Sequence, residues 1–182
     1  FPYTTLFRSY MLFYGKAGPA EPEKAIPWFQ KAAAQDYTHA QTLLAEAYYD
    51  GKGIAKDDDQ AFRLYSRAAE KGHPFATYMT GRLYIRGHCF AIDEAKGAGM
   101  VRKAAERNIK QAQAELTRLY ERGIGVTAND MTALTWYEVA GLNGGNAAAK
   151  VEAVSARLSP DQVKQAKADA VVILAQAKQN SR

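Results

Sequence analysis

Ala40-x3-Leu44-Ala45-x-Ala47-Tyr48-x2-Gly51-x-Gly53-Ile54-x2-Asp57-x3-Ala61-x2-Leu64-Tyr65-x2-Ala68-Ala69-x2-Gly72-x3-Ala76 is one unit of a pattern that returns along most of the chain. Ala40, Ala76, Ala112 and Ala148 are each 36 residues apart, and the same step joins Tyr48 to Tyr84 and Tyr120. It also joins Gly15, Gly51, Gly87 and Gly123, then Ala32, Ala68, Ala104 and Ala140. Trp28, Leu64, Met100 and Trp136 form a further column, with Phe29, Tyr65, Val101 and Tyr137 beside it. A fixed step over more than a hundred residues, with no insertion, is the signature of stacked structural repeats.

Each unit reads as two helices. Ala40, Leu43, Leu44, Ala47 and Tyr48 form an apolar stripe of helical period, which stops at Gly51, where a left-handed C-terminal position favours glycine. The second helix opens at the column Glu21, Asp57, Asp93 and Asn129, side chains able to cap the free N–H groups of its first turn. It carries Ala61, Leu64, Tyr65, Ala68 and Ala69 inward and ends near Lys71-Gly72. Asp36 and Asn108 stand where the second unit has Gly72, and both types tolerate a left-handed backbone. The recurrent alanines and glycines let helix axes approach closely, and one hairpin buries its apolar face only against the next.

This pattern resembles the Sel-1-like repeat, a relative of the tetratricopeptide repeat with a slightly longer unit. Later units repeat it as Gly81-x-Leu83-Tyr84-x2-Gly87 and Leu119-Tyr120-x2-Gly123-x-Gly125-Val126. Departures are Gly97 in place of an alanine, Cys89 in the column of Gly53 and Gly125, and a first unit whose first helix reads as truncated before Tyr10. The resemblance implies an all-α fold, a right-handed α-α superhelix of hairpins lined on its concave face by the first helices. The implied function is that of a scaffold or adaptor holding a peptide or protein. Some relatives are secreted with a cysteine pair per repeat, and a few are linked to β-lactam binding or hydrolysis. A disulfide-free relative of those is the alternative reading, as is weak binding of anionic polymers, nucleic acid included.

The expected organisation has three parts. Residues 1–9, Phe1-Pro2-Tyr3-Thr4-Thr5-Leu6-Phe7-Arg8-Ser9, show no amphipathic period and resemble a translated sequencing-adapter read, so this end reads as non-native or disordered. Residues 10–148 hold about four repeats, near 10–38, 39–74, 75–110 and 111–147, and 148–182 form atypical C-terminal capping helices. In the last part Ser159 is an N-cap, Pro160 the first helical residue and Gln162 the reciprocal partner of a capping box, with Leu158 and Val163 as a hydrophobic staple.

The 182 residues are 47% hydrophobic and 24% charged, with a net charge of +5, which weakly favours an acidic partner. No apolar run reaches the ~18 residues of a membrane span. Cys89 is the sole cysteine, so no intrachain disulfide forms, and envelope, periplasm and cytoplasm are all compatible.

Columns that vary between units are free to carry function. One reads Glu46, Arg82, Arg118 and another Asp50, Arg86, Arg122, so four guanidiniums are expected on one face beside an acidic edge. Tyr49, Tyr78 and Ile85 would supply apolar anchors nearby. Two readings stay open: solvated charges, since like charges at i,i+4 cost only about 0.2–0.5 kcal/mol, or a grip on a carboxylate-rich or phosphorylated segment, where planar bidentate contacts favour Arg. Nucleic acid is the weaker option without a recognition helix.

Catalytic, cofactor and metal residues are not expected. Gly51-Lys52-Gly53 and Gly123-Ile124-Gly125 lack the Lys-Ser/Thr ending of a phosphate loop and fall where the repeat needs a stop. His39, His73 and His88 form no zinc-ligand pair, and His88-Cys89 reads as a loop thiol beside a histidine.

Overall fold

In the computed structural model, which describes residues 3–87 and 91–179, every element is an α-helix. His88 and Cys89 lie outside the described residues. Two compact units are present, Phe1–Thr80 and Gly81–Arg182, whose boundary falls within one helix.

The first unit holds α1 (Tyr3–Tyr14), α2 (Pro22–Ala34), α3 (Thr38–Asp50), α4 (Asp58–Glu70) and the first half of α5 (Pro74–Arg86). Here α1 packs on α2, α2 on α3, and α3 on α4. Phe13, Phe29, Ala32, Ala40, Leu43, Leu44 and Ala47 form one continuous core through three of these helices. The second unit holds the rest of α5, then α6 (Glu94–Glu106), α7 (Lys110–Arg122), α8 (Asp130–Leu142), α9 (Ala148–Ser155) and α10 (Pro160–Gln179).

Helix ends follow the columns. Gly51 and Gly123 close α3 and α7 at φ near +66 and +68°, a conformation in which a Cβ would be strained. Asp57, Asp93 and Asn129 each accept from the backbone N–H three residues on, at 2.9 Å. Glu21 does not cap: its longer side chain ion-pairs with Lys24 at 2.7 Å instead, while Pro22 presets the first turn of α2. All four of these residues donate their backbone N–H to the carbonyl nine residues earlier, on Leu12, Tyr48, Tyr84 and Tyr120. That bond pins the loop inside each hairpin.

Asp36 and Asn108 take the left-handed conformation, φ +69 and +65°, as their residue types suggested. Their side chains are used as well. Gln41 Nε2 donates to Asp36 Oδ1 at 2.8 Å, and Gln113 Nε2 donates to Asn108 Oδ1 at 3.2 Å. Both glutamines are buried, so the latch gives their Nε2 donors partners that would otherwise be costly to lose. The second unit of the repeat has Gly72 and Thr77 in these places, so the latch is present or absent as a pair.

The start of the chain differs from expectation. Residues from Tyr3 onward are helical, and the first unit's first helix is not truncated. Leu6, Ser9 and Phe13 form its buried face. The period was masked because Ser9 is polar; its Oγ donates to the carbonyl of Thr5 at 2.8 Å, which lets a hydroxyl sit in an apolar stripe.

At the other end the Ser159–Gln162 capping box is reciprocal: Ser159 N–H donates to Gln162 Oε1 at 2.9 Å, and Gln162 N–H to Ser159 Oγ at 3.3 Å. Leu158 and Val163 pack on the cluster of Leu134, Val154 and Ala166, which seats α10 on α8.

A close crossing joins α5 to α6. A Cβ on Gly97 would lie 2.6 Å from the Gly81 carbonyl oxygen and 2.6 Å from Ile85 Cγ1, and one on Gly81 would lie 2.8 Å from the Gly97 oxygen. Gly99, one turn-fraction away on α6, faces open space. Gly97→Ala therefore lowers stability by about 1–3 kcal/mol despite the gain in helix propensity. Gly99→Ala raises it by up to ~1 kcal/mol. Thermal melts of the two variants check this, and equal shifts would refute the backbone-contact explanation.

Candidate interaction surface

The four arginines all fall in the second unit. Arg82 and Arg86 sit on successive turns of α5, and Arg118 and Arg122 on successive turns of α7. Arg82 is half-buried and Arg86 and Arg122 are exposed. Arg118 is oriented by an ion pair with Glu115 on its own helix, which is more buried than the arginine itself. A guanidinium held in this way loses less freedom on meeting a second anion.

Glu46, Tyr49 and Asp50 lie on α3, in the first unit. Asp50 is exposed, but Glu46 is half-buried and accepts a hydrogen bond from the Tyr14 hydroxyl at 2.7 Å. Burial pushes the Glu46 carboxyl above its ordinary value; the Tyr14 hydrogen bond opposes this, the Asp50 charge adds to it and Lys52 opposes it. Tyr49 is half-buried with the Lys56 ammonium 5.7 Å from its ring centre.

Ile85 is half-buried on α5. Tyr78 is not the exposed anchor anticipated: it retains 6% of its surface and packs beside Phe75. The reason lies in its column, since Thr42 and Leu6, one and two repeats earlier, are buried as well.

Residues that sequence reasoning passed over complete the surface of the first unit. The rings of Tyr10 and Tyr14 meet at 4.7 Å, and Lys52 Nζ lies 4.5 Å from the Phe13 ring centre and 5.0 Å from that of Tyr14. Tyr65 is fully buried below, and its hydroxyl has no hydrogen-bond partner. Burial, first, pushes the Tyr65 hydroxyl well above the ordinary tyrosine pKa, with the charges of Glu46 and Asp50 adding to the shift. The equivalent Tyr137 of the fourth repeat bonds Glu121, and burial together with that bond pushes it up to about 12. Glu121 shares a column with Tyr49, so the second repeat has no carboxylate at the position that bonds Tyr137 in the fourth, a difference readable from the columns.

Among the described residues no group of three or more His, Cys, Asp or Glu side chains is arranged to hold a metal ion. No helix among them is long and apolar enough to cross a membrane.

The Sel1 repeat model matches residues 6–37, 38–73, 74–109 and 110–145. The chain belongs to the Sel1 repeat family. Its fold is the all-helical hairpin solenoid of that family. A Sel1 repeat protein from Oxalobacter formigenes is similar over 98% of this chain and 73% of its own, at 26% identity and a TM-score of 0.75. A protective antigen of uropathogenic Escherichia coli strains, displaying an SLR fold, is similar over 97% of this chain at 25% identity and a TM-score of 0.58. This chain spans 46% of that antigen's length. No curated protein matches the sequence. Sel1 repeat proteins are generally non-catalytic scaffolds for protein interaction.

The shifted Glu46 carboxyl makes a prediction about pH. Its folded value lies above its unfolded one, so protonation favours the fold. The group's contribution is complete below the unfolded value of ~4.3 and is lost as pH rises through the folded value. Glu46→Gln keeps an acceptor for Tyr14 and removes the charge. Its melting temperature relative to the native chain should rise between about pH 4 and pH 7. A difference independent of pH would show that Glu46 is not the group responsible.

Proposed function

We propose that the protein is a non-catalytic adaptor that holds a peptide or protein partner on the face lined by the first helices of its repeats. At the second unit the partner contributes an acidic or phosphorylated segment, gripped by Arg82, Arg86, Arg118 and Arg122. Glu46, Tyr49 and Asp50 belong to the same kind of surface on the first unit, with Ile85 as an apolar contact.

One observation carries this reading. Tyr14 and Glu46, from the first helices of consecutive repeats, meet at 2.7 Å. Two repeats on, the same columns hold Arg86 and Arg118, both in the second unit. Repeat equivalence thus brings guanidiniums from α5 and α7 toward each other, where an anion relieves their repulsion. Arg is suited to carboxylate and phosphate because its planar fork forms two parallel bonds. The general role of the family as an interaction scaffold agrees with this.

The test is comparative capture from a lysate of the source cells, using the native chain and an R82E/R86E/R118E/R122E variant whose helicity is unchanged. Proteins held by the native chain and released by the variant are expected, with loss of at least tenfold in signal, about 1.4 kcal/mol or more of binding. Equal capture by both would remove the arginines from the reading.

A further inference from the structure

The first unit carries a second recognition feature, of opposite charge. Glu46 and Asp50 lie one turn apart on α3, with Tyr49 between them and Tyr10 and Tyr14 facing from α1. The nearby Lys52 has its ammonium over the rings of Phe13 and Tyr14, and forms no ion pair with either carboxylate among the described residues. An aromatic wall that already hosts one ammonium thus stands beside two carboxylates, of which Glu46 feels the Lys52 charge.

Below this group lies an independent sign of an unfilled position. Tyr65 is 0% exposed, and its hydroxyl makes no hydrogen bond. Its electrostatic neighbours are Glu46, Asp50, Tyr14 and Tyr49, so the hydroxyl lies near the acidic group. Buried hydroxyls are ordinarily bonded, and even the half-buried Tyr137 of the fourth repeat bonds Glu121.

We propose that this group receives a basic side chain of the protein partner, a lysine ammonium or an arginine guanidinium. The proposal rests on the adaptor reading above and adds the chemistry of a second contact. The cation lies against the Tyr10 and Tyr14 rings and donates to Glu46 and Asp50. Tyr14 turns off Glu46 to admit it, and one remaining N–H reaches the Tyr65 hydroxyl oxygen. An anionic group is refused by the two carboxylates. A bare divalent ion finds only two carboxylates here, fewer than the oxygen ligands it needs.

The full chain is titrated with blocked Gly-Lys-Gly and Gly-Arg-Gly peptides, and with blocked Gly-Glu-Gly as control, following the ring resonances of Tyr14 and Tyr65 by NMR. Saturable shifts with both basic peptides and none with the acidic one are expected. Glu46→Gln with Asp50→Asn should weaken binding at least tenfold, and Tyr65→Phe should weaken it less. If the double variant does not fold, Asp50→Asn alone, at an exposed site, serves in its place. Shifts that do not saturate, equal shifts from the acidic peptide, or undiminished binding by the carboxylate variants would overturn the proposal. An R86E/R118E variant should bind the basic peptides as the native chain does. That arm separates the two ideas, because failure of the arginine surface leaves these titrations untouched.

Discussion

Close approach of backbones is the constraint on which the repeats depend. Each hairpin pairs a small residue of its first helix with one of its second: Ser9 with Ala25, Ala45 with Ala61, Gly81 with Gly97 and Thr117 with Ala133 share the same two columns. All of these are buried. At Gly81 and Gly97 the fit is closed enough that neither position has room for a methyl group. Once the helix axes are this near, the larger side chains have fixed places to go, and Phe29, Tyr65 and Val101 of the neighbouring column are each fully buried. Ser and Thr enter these columns by returning their hydroxyls to the preceding turn: Thr117 Oγ1 donates to the Gln113 carbonyl at 2.8 Å, as Ser9 does to Thr5. Size, not polarity, is what the position selects.

This explains which features could be read from the chain alone. The hairpins, their glycine stops and three of the four caps follow from residue type at a fixed step, because each is a local requirement of the backbone. Glu21 misleads because it shares charge with aspartate but not length. The first helix escapes notice because a serine interrupts an apolar stripe without interrupting its packing. Tyr78 misleads in the opposite way, since a tyrosine in a varied column looks like a surface anchor. Its true setting was legible in Leu6 and Thr42, which share that column and are also buried. The glutamine latches are a longer-range matter, because Gln41 and Gln113 acquire meaning only once Asp36 and Asn108 are known to be left-handed.

The candidate surface was legible in part. Column arithmetic assigns the arginines to α5 and α7 and the acids to α3, which is where they stand. It says nothing of depth. Glu46 and Asp50 differ by one turn on the same helix, yet one is half-buried under Tyr14 and the other is open to water. In the proposed contact their roles divide accordingly: Asp50 would meet the partner's cation as it stands, whereas Glu46 would do so only when Tyr14 leaves. The buried Tyr65 hydroxyl below them has no counterpart in any charge pattern.

A repeat array separates stability from recognition in a way that compact enzymes do not. Stacking is secured by columns that hardly vary, and stability accrues from each repeat and its nearest neighbours. Positions outside those columns differ in sign between repeats of the same fold, as Glu46, Arg82 and Arg118 do within one chain. Such residues recur at a constant step of 36 along the sequence. Affinity in such a system comes from several modest contacts made together, and specificity from their order along the array. On the proposed reading, with an acid at one repeat and arginines at later ones, the order itself is the information, and exchanging two repeats would lose it even if every side chain were retained.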